Sequence, residues 1–278
     1  MGEILIGTCG YSYREWVGPF YPPQTKTDEY IGFYSREFPT VEIDNSYYRM
    51  PTADQLQNML DSAGPGLSIA LKATQTLTHT VDPEGWRGEA KTFIGAIEPL
   101  CKAGRLAAVL FQFPYSFHYT ADNRKHLDSL LGEFEGIQSA VEFRNGEWTS
   151  SRVIEGLKKR GAAYVSTDLP DLKGLPPVLD VSTAPLSYFR LHGRNTETWW
   201  GSDSKSRYDY LYSDRELEGA AERIKRIAIK ADKLVVYFNN HTKAKAIMNA
   251  RSLLKILDAI GLAAAPEIEK NGKGNSPS

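Results

Sequence analysis

AAVLFQF (Ala107–Phe113), AVEFR (Ala140–Arg144) and SYFRLH (Ser187–His192) decide the fold. Their apolar character is nearly continuous instead of alternating. That is the pattern of a strand covered on both faces, as in a parallel sheet wrapped by helices. Each also turns polar at its carboxyl end. Five more segments fit the description: Ile4–Cys9, Thr40–Asn45, Leu67–Lys72, Ala162–Asp168 and Leu234–Asn239.

Helical patterns lie between them. Tyr30, Phe33, Tyr34 and Phe38 recur at spacings of three and four, as do Trp86, Ala90, Phe93, Ile94 and Ile97. Thr52-Ala53-Asp54-Gln55 and Ser213-Asp214-Arg215-Glu216 read as capping boxes that open two helices. Thr242 is the expected start of the last one. Strand starts fall mostly 25 to 40 residues apart, one βα unit each. Eight such units predict a single (β/α)₈ TIM-type barrel, whose usual length is about 250 residues. A doubly wound open sheet fits less well, because no G-x-G-x-x-G follows the first strand. Two connections are long. Leu169–Pro185 is proline-rich and predicted to be an ordered loop after strand six. Gly193–Tyr212, rich in Trp and Tyr, is predicted to be a lid after strand seven. The expected domain is 1–265, with a flexible tail over 266–278.

The 278 residues hold 33 basic and 34 acidic side chains, for a net charge of −1. This balance excludes a whole-molecule basic field for nucleic acid or anionic membrane, and leaves room for a local basic cleft. Two cysteines, Cys9 and Cys101, make neither a disulfide framework nor a zinc ribbon. No signal-peptide pattern and no membrane-length apolar segment is present, so a cytoplasmic protein without membrane association is expected.

Barrel enzymes place their sites at the carboxyl ends of the strands. Here those ends carry Glu42 and Asn45, Lys72, Gln112, Glu142 and Arg144, Asp168, Arg190 and His192, and Asn239-Asn240-His241. Glu42 and Asp44, Glu142 and Arg144, and Arg190 and His192 are each two apart, so each pair shares a strand face. Acids and bases are thus expected to interleave in a ring inside the upper barrel. Buried charge is costly unless paired, so the ring is either a structural salt-bridge layer or a ligand site, and a ligand site is the stronger reading. Tyr11, Trp16, Tyr48 and Trp148 lie in the loops beyond, and Trp16, Trp148, Trp199 and Trp200 could form a stacking surface for a base or sugar. Lys72 reads as an ion-pair partner or, less commonly, a Schiff-base nucleophile.

The chain also resembles the YecE-like family, domain of unknown function 72. The resemblance rests on IGTCGYSYREWVGPFYP (Ile6–Pro22), TVEIDNSYYRMP (Thr40–Pro51), LKAT (Leu71–Thr74), LFQFP (Leu110–Pro114), AVEFR (Ala140–Arg144), RLHGR (Arg190–Arg194), YSDREL (Tyr212–Leu217) and YFNNH (Tyr237–His241). It implies a TIM-type barrel of the soluble, intracellular kind. It also implies that Glu42, Lys72, Glu142, Arg144, Asp168, Arg190, His192, Asn239 and Asn240 occupy the family's positions at the barrel mouth. Members often carry Ser where Cys9 stands, which argues against thiol chemistry. The family name brings no activity with it.

The reading favoured by the residues is an enzyme of phosphoester-hydrolase type. Its substrate would be an anionic, phosphate-containing small molecule or a nucleic-acid fragment. In it Glu42, Lys72, Glu142, Asp168 and His192 are the candidate catalytic groups. Tyr11, Trp16, Asn45, Tyr48, Gln112, Arg144, Trp148, Arg190, Asn239, Asn240 and His241 are the candidate substrate-binding groups. No organic-cofactor motif is present. A divalent metal held by Glu142, Asp168 and His192 stays open, although no H-x-H or H-E-x-x-H spacing supports it. One alternative is a glycosidase using Glu42 and Glu142 as its carboxylate pair. Another is a non-catalytic binder of nucleotide or nucleic acid with a basic rim of Arg14, Arg49, Arg194, Lys205 and Arg207.

Overall fold

The computed structural model describes residues 1–262, so the boundary at 265 and the predicted tail lie outside the described residues. Eight parallel strands close into a barrel in sequence order. They are β1 (Glu3–Cys9), β2 (Thr40–Ile43), β3 (Ser68–Lys72), β4 (Leu106–Phe113), β5 (Ser139–Phe143), β6 (Ala163–Asp168), β7 (Leu186–Leu191) and β8 (Lys233–Phe238). Closure is made by β1, where Gly7 lies opposite Thr40 of β2 on one side and Tyr237 of β8 on the other. A Cβ on Gly7 would sit 1.9 Å from the Thr40 carbonyl oxygen, so only glycine fits this seam.

The outer layer comprises α1 (Tyr30–Glu37), α2 (Ala53–Ser62), the short α3 (Gln75–Thr78), α4 (Trp86–Lys102), α5 (Ala121–Glu133), α6 (Ser151–Lys159), the lid turn α7 (Ser204–Arg207), α8 (Asp214–Ala228) and α9 (Lys245–Ala259). Both predicted capping boxes form, at Thr52 with Gln55 and at Ser213 with Glu216. The last helix starts later than Thr242 predicts. Lys243 and Ala244 hold φ of 52° and 59°, so a 3₁₀ turn comes first and α9 begins at Lys245. No helix joins β6 to β7. The proline-rich segment 169–185 runs along the barrel wall, fixed by Thr183, whose backbone-facing Oγ1 accepts from Tyr164 N–H and donates to the Ala162 carbonyl at 2.8 and 2.6 Å.

Strand parity builds two cores. Outward residues such as Ile4, Ile6, Val41, Ile69, Leu71, Val109 and Phe111 pack beneath the helices in the larger one. Inward residues Leu5, Ala70, Ala108, Leu110, Ala140, Val165, Tyr188, Val235 and Tyr237 fill the barrel itself. Truncating one of these inward side chains, such as Leu110→Ala, costs about 2–5 kcal/mol. The inward tyrosines mark where this apolar filling stops. Tyr188 donates its hydroxyl hydrogen to Glu42 Oε2 at 2.7 Å, and above that level the interior is charged. No helix among the described residues is long and apolar enough to cross a membrane.

Candidate functional site

One more inward step along each strand from the apolar filling reaches Glu42, Lys72, Gln112, Glu142, Arg190 and Asn239, and a further step reaches Asp44, Arg144 and His192. Arg190 sits between the two glutamates. Its Nη2 donates to Glu42 Oε1 at 2.7 Å and its Nη1 to Glu142 Oε2 at 2.5 Å. Arg144 Nε donates to the other oxygen of Glu142. His192 Nε2 lies 3.2 Å from that same oxygen, and Asn239 Nδ2 lies 3.0 Å from His192 Nδ1. Each carboxylate is therefore matched by guanidinium donors, the condition under which buried ions are tolerated.

The electrostatics follow from this packing. Burial alone would raise the Glu142 carboxyl, but Arg144, Arg190 and His192 together hold it well below the usual carboxylate range. Burial and then Arg144 push His192 down to about 3, so its imidazole is neutral, with Nε2–H directed at Glu142 and Nδ1 accepting from Asn239. Burial and the neighbouring guanidiniums of Arg190 and Arg144 bring Lys72 down to about 8. Burial, followed by Glu42, raises Asp44.

Above this floor opens a cavity of about 530 Å³. Of the sequence-predicted residues, Asn45, Tyr48, Lys72, Gln112, Arg144, Arg190, Asn239 and His241 line it. Glu42, Glu142 and His192 lie beneath, fully buried, and hold the guanidiniums in place. Tyr13, Tyr115 and Tyr208, which no sequence pattern singles out as site residues, also line the cavity, as does Asp44, which shares its strand face with Glu42.

Five candidates are placed elsewhere. Asp168 follows inward Val165 by three positions, so it faces outward. There it takes a bidentate pair from Arg194 at 2.8 and 2.8 Å, with Arg223 at 3.2 Å and the Tyr212 hydroxyl at 2.9 Å. Asn240, one past inward Asn239, also turns outward and donates to the Tyr210 carbonyl and to Asn249. Trp148 is stacked between Phe143 and Phe117 and donates its indole N–H to the Phe117 carbonyl at 2.6 Å. Trp16 is buried and donates to the His241 carbonyl, and Tyr11 packs toward Tyr34. None of the five lines the cavity. With Asp168 turned away, Glu142 and His192 lack the third metal ligand considered above, and no group of three or more His, Cys, Asp or Glu side chains among the described residues could hold a metal ion.

The predicted lid covers the mouth. Gly193 turns the chain out of β7 at φ of 87°, where a Cβ would meet Tyr210 Cβ at 2.6 Å. The loop then brings Trp199, Trp200, Arg207 and Tyr208 over the cavity. Trp199 and Tyr208 bracket the Arg144 guanidinium, with ring centres 5.6 and 5.9 Å from its Cζ. Arg207 Nε is buried on this wall with no hydrogen-bond partner among the described residues.

The fold and site define a (β/α)₈ barrel whose carboxyl end holds a lidded, arginine-rich cavity over a salt-bridged floor. The chain matches "Protein of unknown function DUF72" over residues 5–271 and belongs to that family. It is 27% identical over 270 residues to the UPF0759 protein YunF of Bacillus subtilis (strain 168), covering 92% of this chain and 95% of that one. A DUF72 family protein of Thermotoga maritima MSB8 superposes with TM-score 0.85 at 33% identity, covering 92% of this chain and 99% of that one. A xylose isomerase domain containing protein of Salmonella typhimurium LT2 shares the fold at 14% identity and TM-score 0.51, covering 93% of this chain and 96% of that one.

Proposed function

We propose that the protein is an enzyme acting on a small phosphate-bearing substrate. The phosphate would be bound by Arg144, Arg190 and Arg207, with Lys72 facing the rest of the substrate, and a planar portion would lie against the lid aromatics. One observation carries this reading. Both floor glutamates are already taken by Arg190 and Arg144, whereas Lys72 and Arg207 reach the cavity wall without a carboxylate within 4.0 Å among the described residues. Among the lining residues the one carboxylate is Asp44, itself raised by burial. An anionic ligand would satisfy the Arg207 donor through charge-assisted hydrogen bonds.

The proton-transfer roles move with the geometry. Glu142 is locked by two guanidiniums and His192 is neutral and enclosed, so in this reading both position Arg144 and Arg190. Lys72 and Asp44 are the wall groups placed to exchange a proton with a substrate. The glycosidase alternative loses ground on the same observation, since Glu42 and Glu142 are pinned to one guanidinium below the cavity floor. Thermal-shift titration with matched pairs tests the proposal: ribose 5-phosphate against ribose, adenosine 5′-monophosphate against adenosine, and pyridoxal 5′-phosphate against pyridoxal. At least one phosphorylated member is expected to raise Tm where its neutral partner does not. Equal responses within every pair would refute it.

A further inference from the structure

Lys72 is the cavity's unpaired amine. It ends β3 facing inward, and its Nζ lies 4.1 Å from the centre of the Tyr47 ring. Among the described residues it has no carboxylate within 4.0 Å and no hydrogen-bond acceptor, which removes the ion-pair role a buried lysine usually plays. The groups that act on it are Arg190 and Arg144, which disfavour its ammonium, and Glu142 and Glu42, which favour it but are engaged by those guanidiniums. His79 and Asp44 complete its charged and titratable surroundings, and His79 is driven down to about 4 by burial and then by Lys72 itself.

We infer that Lys72 is a covalent nucleophile whose Nζ forms an imine with the carbonyl carbon of a phosphorylated aldehyde or ketone. The phosphate part rests on the function proposed above, while the amine part stands on the placement of Lys72 alone. The neutral amine donates its lone pair to the carbonyl carbon and forms the C–N bond. The C=O π pair moves to oxygen, which takes a proton from the Asp44 carboxyl or from solvent. The nitrogen, now carrying two hydrogens and a positive charge, passes one proton to that hydroxyl, and the pair this frees expels water and leaves a protonated C=N bond, so amine, carbonyl and one proton become iminium and water. An amine partly neutral near physiological pH in a cationic, partly desolvated site is what this chemistry requires.

The test uses the full-length protein, pyridoxal 5′-phosphate at one equivalent, borohydride reduction and peptide mass spectrometry. Lys72 is expected to be labelled at least tenfold faster than the exposed Lys91 and Lys255, with a rate that climbs between pH 7 and 9. Inorganic phosphate should slow it, and pyridoxal should label it more slowly. Lys72→Arg should lose the label at that peptide. Should that variant fail to fold, the wild-type rate comparison decides alone. Labelling of Lys72 no faster than the exposed lysines would overturn the inference, even if phosphate still binds. Fast labelling that pyridoxal matches and phosphate does not slow would overturn the phosphate part and leave the amine.

Discussion

Two clusters of guanidinium and carboxylate, one wholly buried and one reaching the surface, sit at the same end of the barrel, on opposite faces of its strands. The inward one joins Glu42, Arg190, Glu142 and Arg144 and forms the floor of the cavity. The outward one joins Asp168 to Arg194 and Arg223, with Asp180 held by Arg223 and Arg226. In sequence both appear as polar residues closing apolar strands. In space the outward cluster ties the lid's root to α8 and to the segment after β6. Every oxygen of Asp168 is spent on that tie. The inward cluster spends its carboxylates on Arg190 and Arg144 but leaves those two guanidiniums on a cavity wall. A polar strand end therefore marks a site only when its parity points it into the barrel.

Four predictions sharpen this contrast. Arg190→Met should have the largest effect, because it leaves Glu42 and Glu142 buried without their shared counter-ion. A loss of about 3–5 kcal/mol in denaturant unfolding is expected, and a loss under about 1 kcal/mol would show that the floor is not held by this pair. Asp168→Asn keeps the shape but weakens the charge-assisted bonds, and should cost about 2–3 kcal/mol. Affinity for a phosphorylated ligand should stay within about twofold, because the outward cluster does not touch the cavity.

The third concerns acid. His192 titrates at about 3 when folded against the ordinary 6.5, lowered by burial and Arg144. Between these values the unfolded chain binds a proton that the native state refuses, so stability falls as pH drops from 6.5 toward 3. Glu142, held low when folded, acts in the same direction below the usual carboxylate range. His192→Gln should flatten the stability profile between pH 6 and 4 by up to about 1.4 kcal/mol per pH unit. An unchanged slope would place the native histidine's titration elsewhere. The smallest effect is expected for Arg207→Ala on the lid. It should leave unfolding within about 0.5 kcal/mol while weakening phosphate-bearing ligands roughly tenfold, about 1.4 kcal/mol.

Most of the barrel was legible because continuous apolar runs and helical spacing are set by burial, which a sequence records directly. The ring of charge was legible for the same reason: Glu42, Glu142, Arg190 and His192 keep the parity of their strands. Asp168 and Asn240 end or follow apolar strands too, but the parity set by Val165 and Asn239 turns them outward, so strand-end position alone does not mark them. Trp16 and Trp148 are buried for a reason the sequence does not carry. A tryptophan after a strand can as well fill the rim as face a ligand, and only its aromatic neighbours settle the matter, Phe143 and Phe117 for Trp148 and Phe20 and Tyr21 for Trp16. Tyr13, Tyr115 and Tyr208 reach the cavity through loop conformations that no periodicity encodes.

The cavity-wall cations Lys72, Arg144 and Arg207 are expected to form an oxyanion site, and heavy-atom crystallography tests this most directly. Crystals soaked in tungstate, a tetrahedral stand-in for phosphate, should show an anomalous peak inside the cavity within hydrogen-bond reach of Lys72, Arg144 or Arg207, and Arg207→Ala should weaken it. A cavity without a peak, in crystals where tungstate occupies surface lysines, would contradict the account.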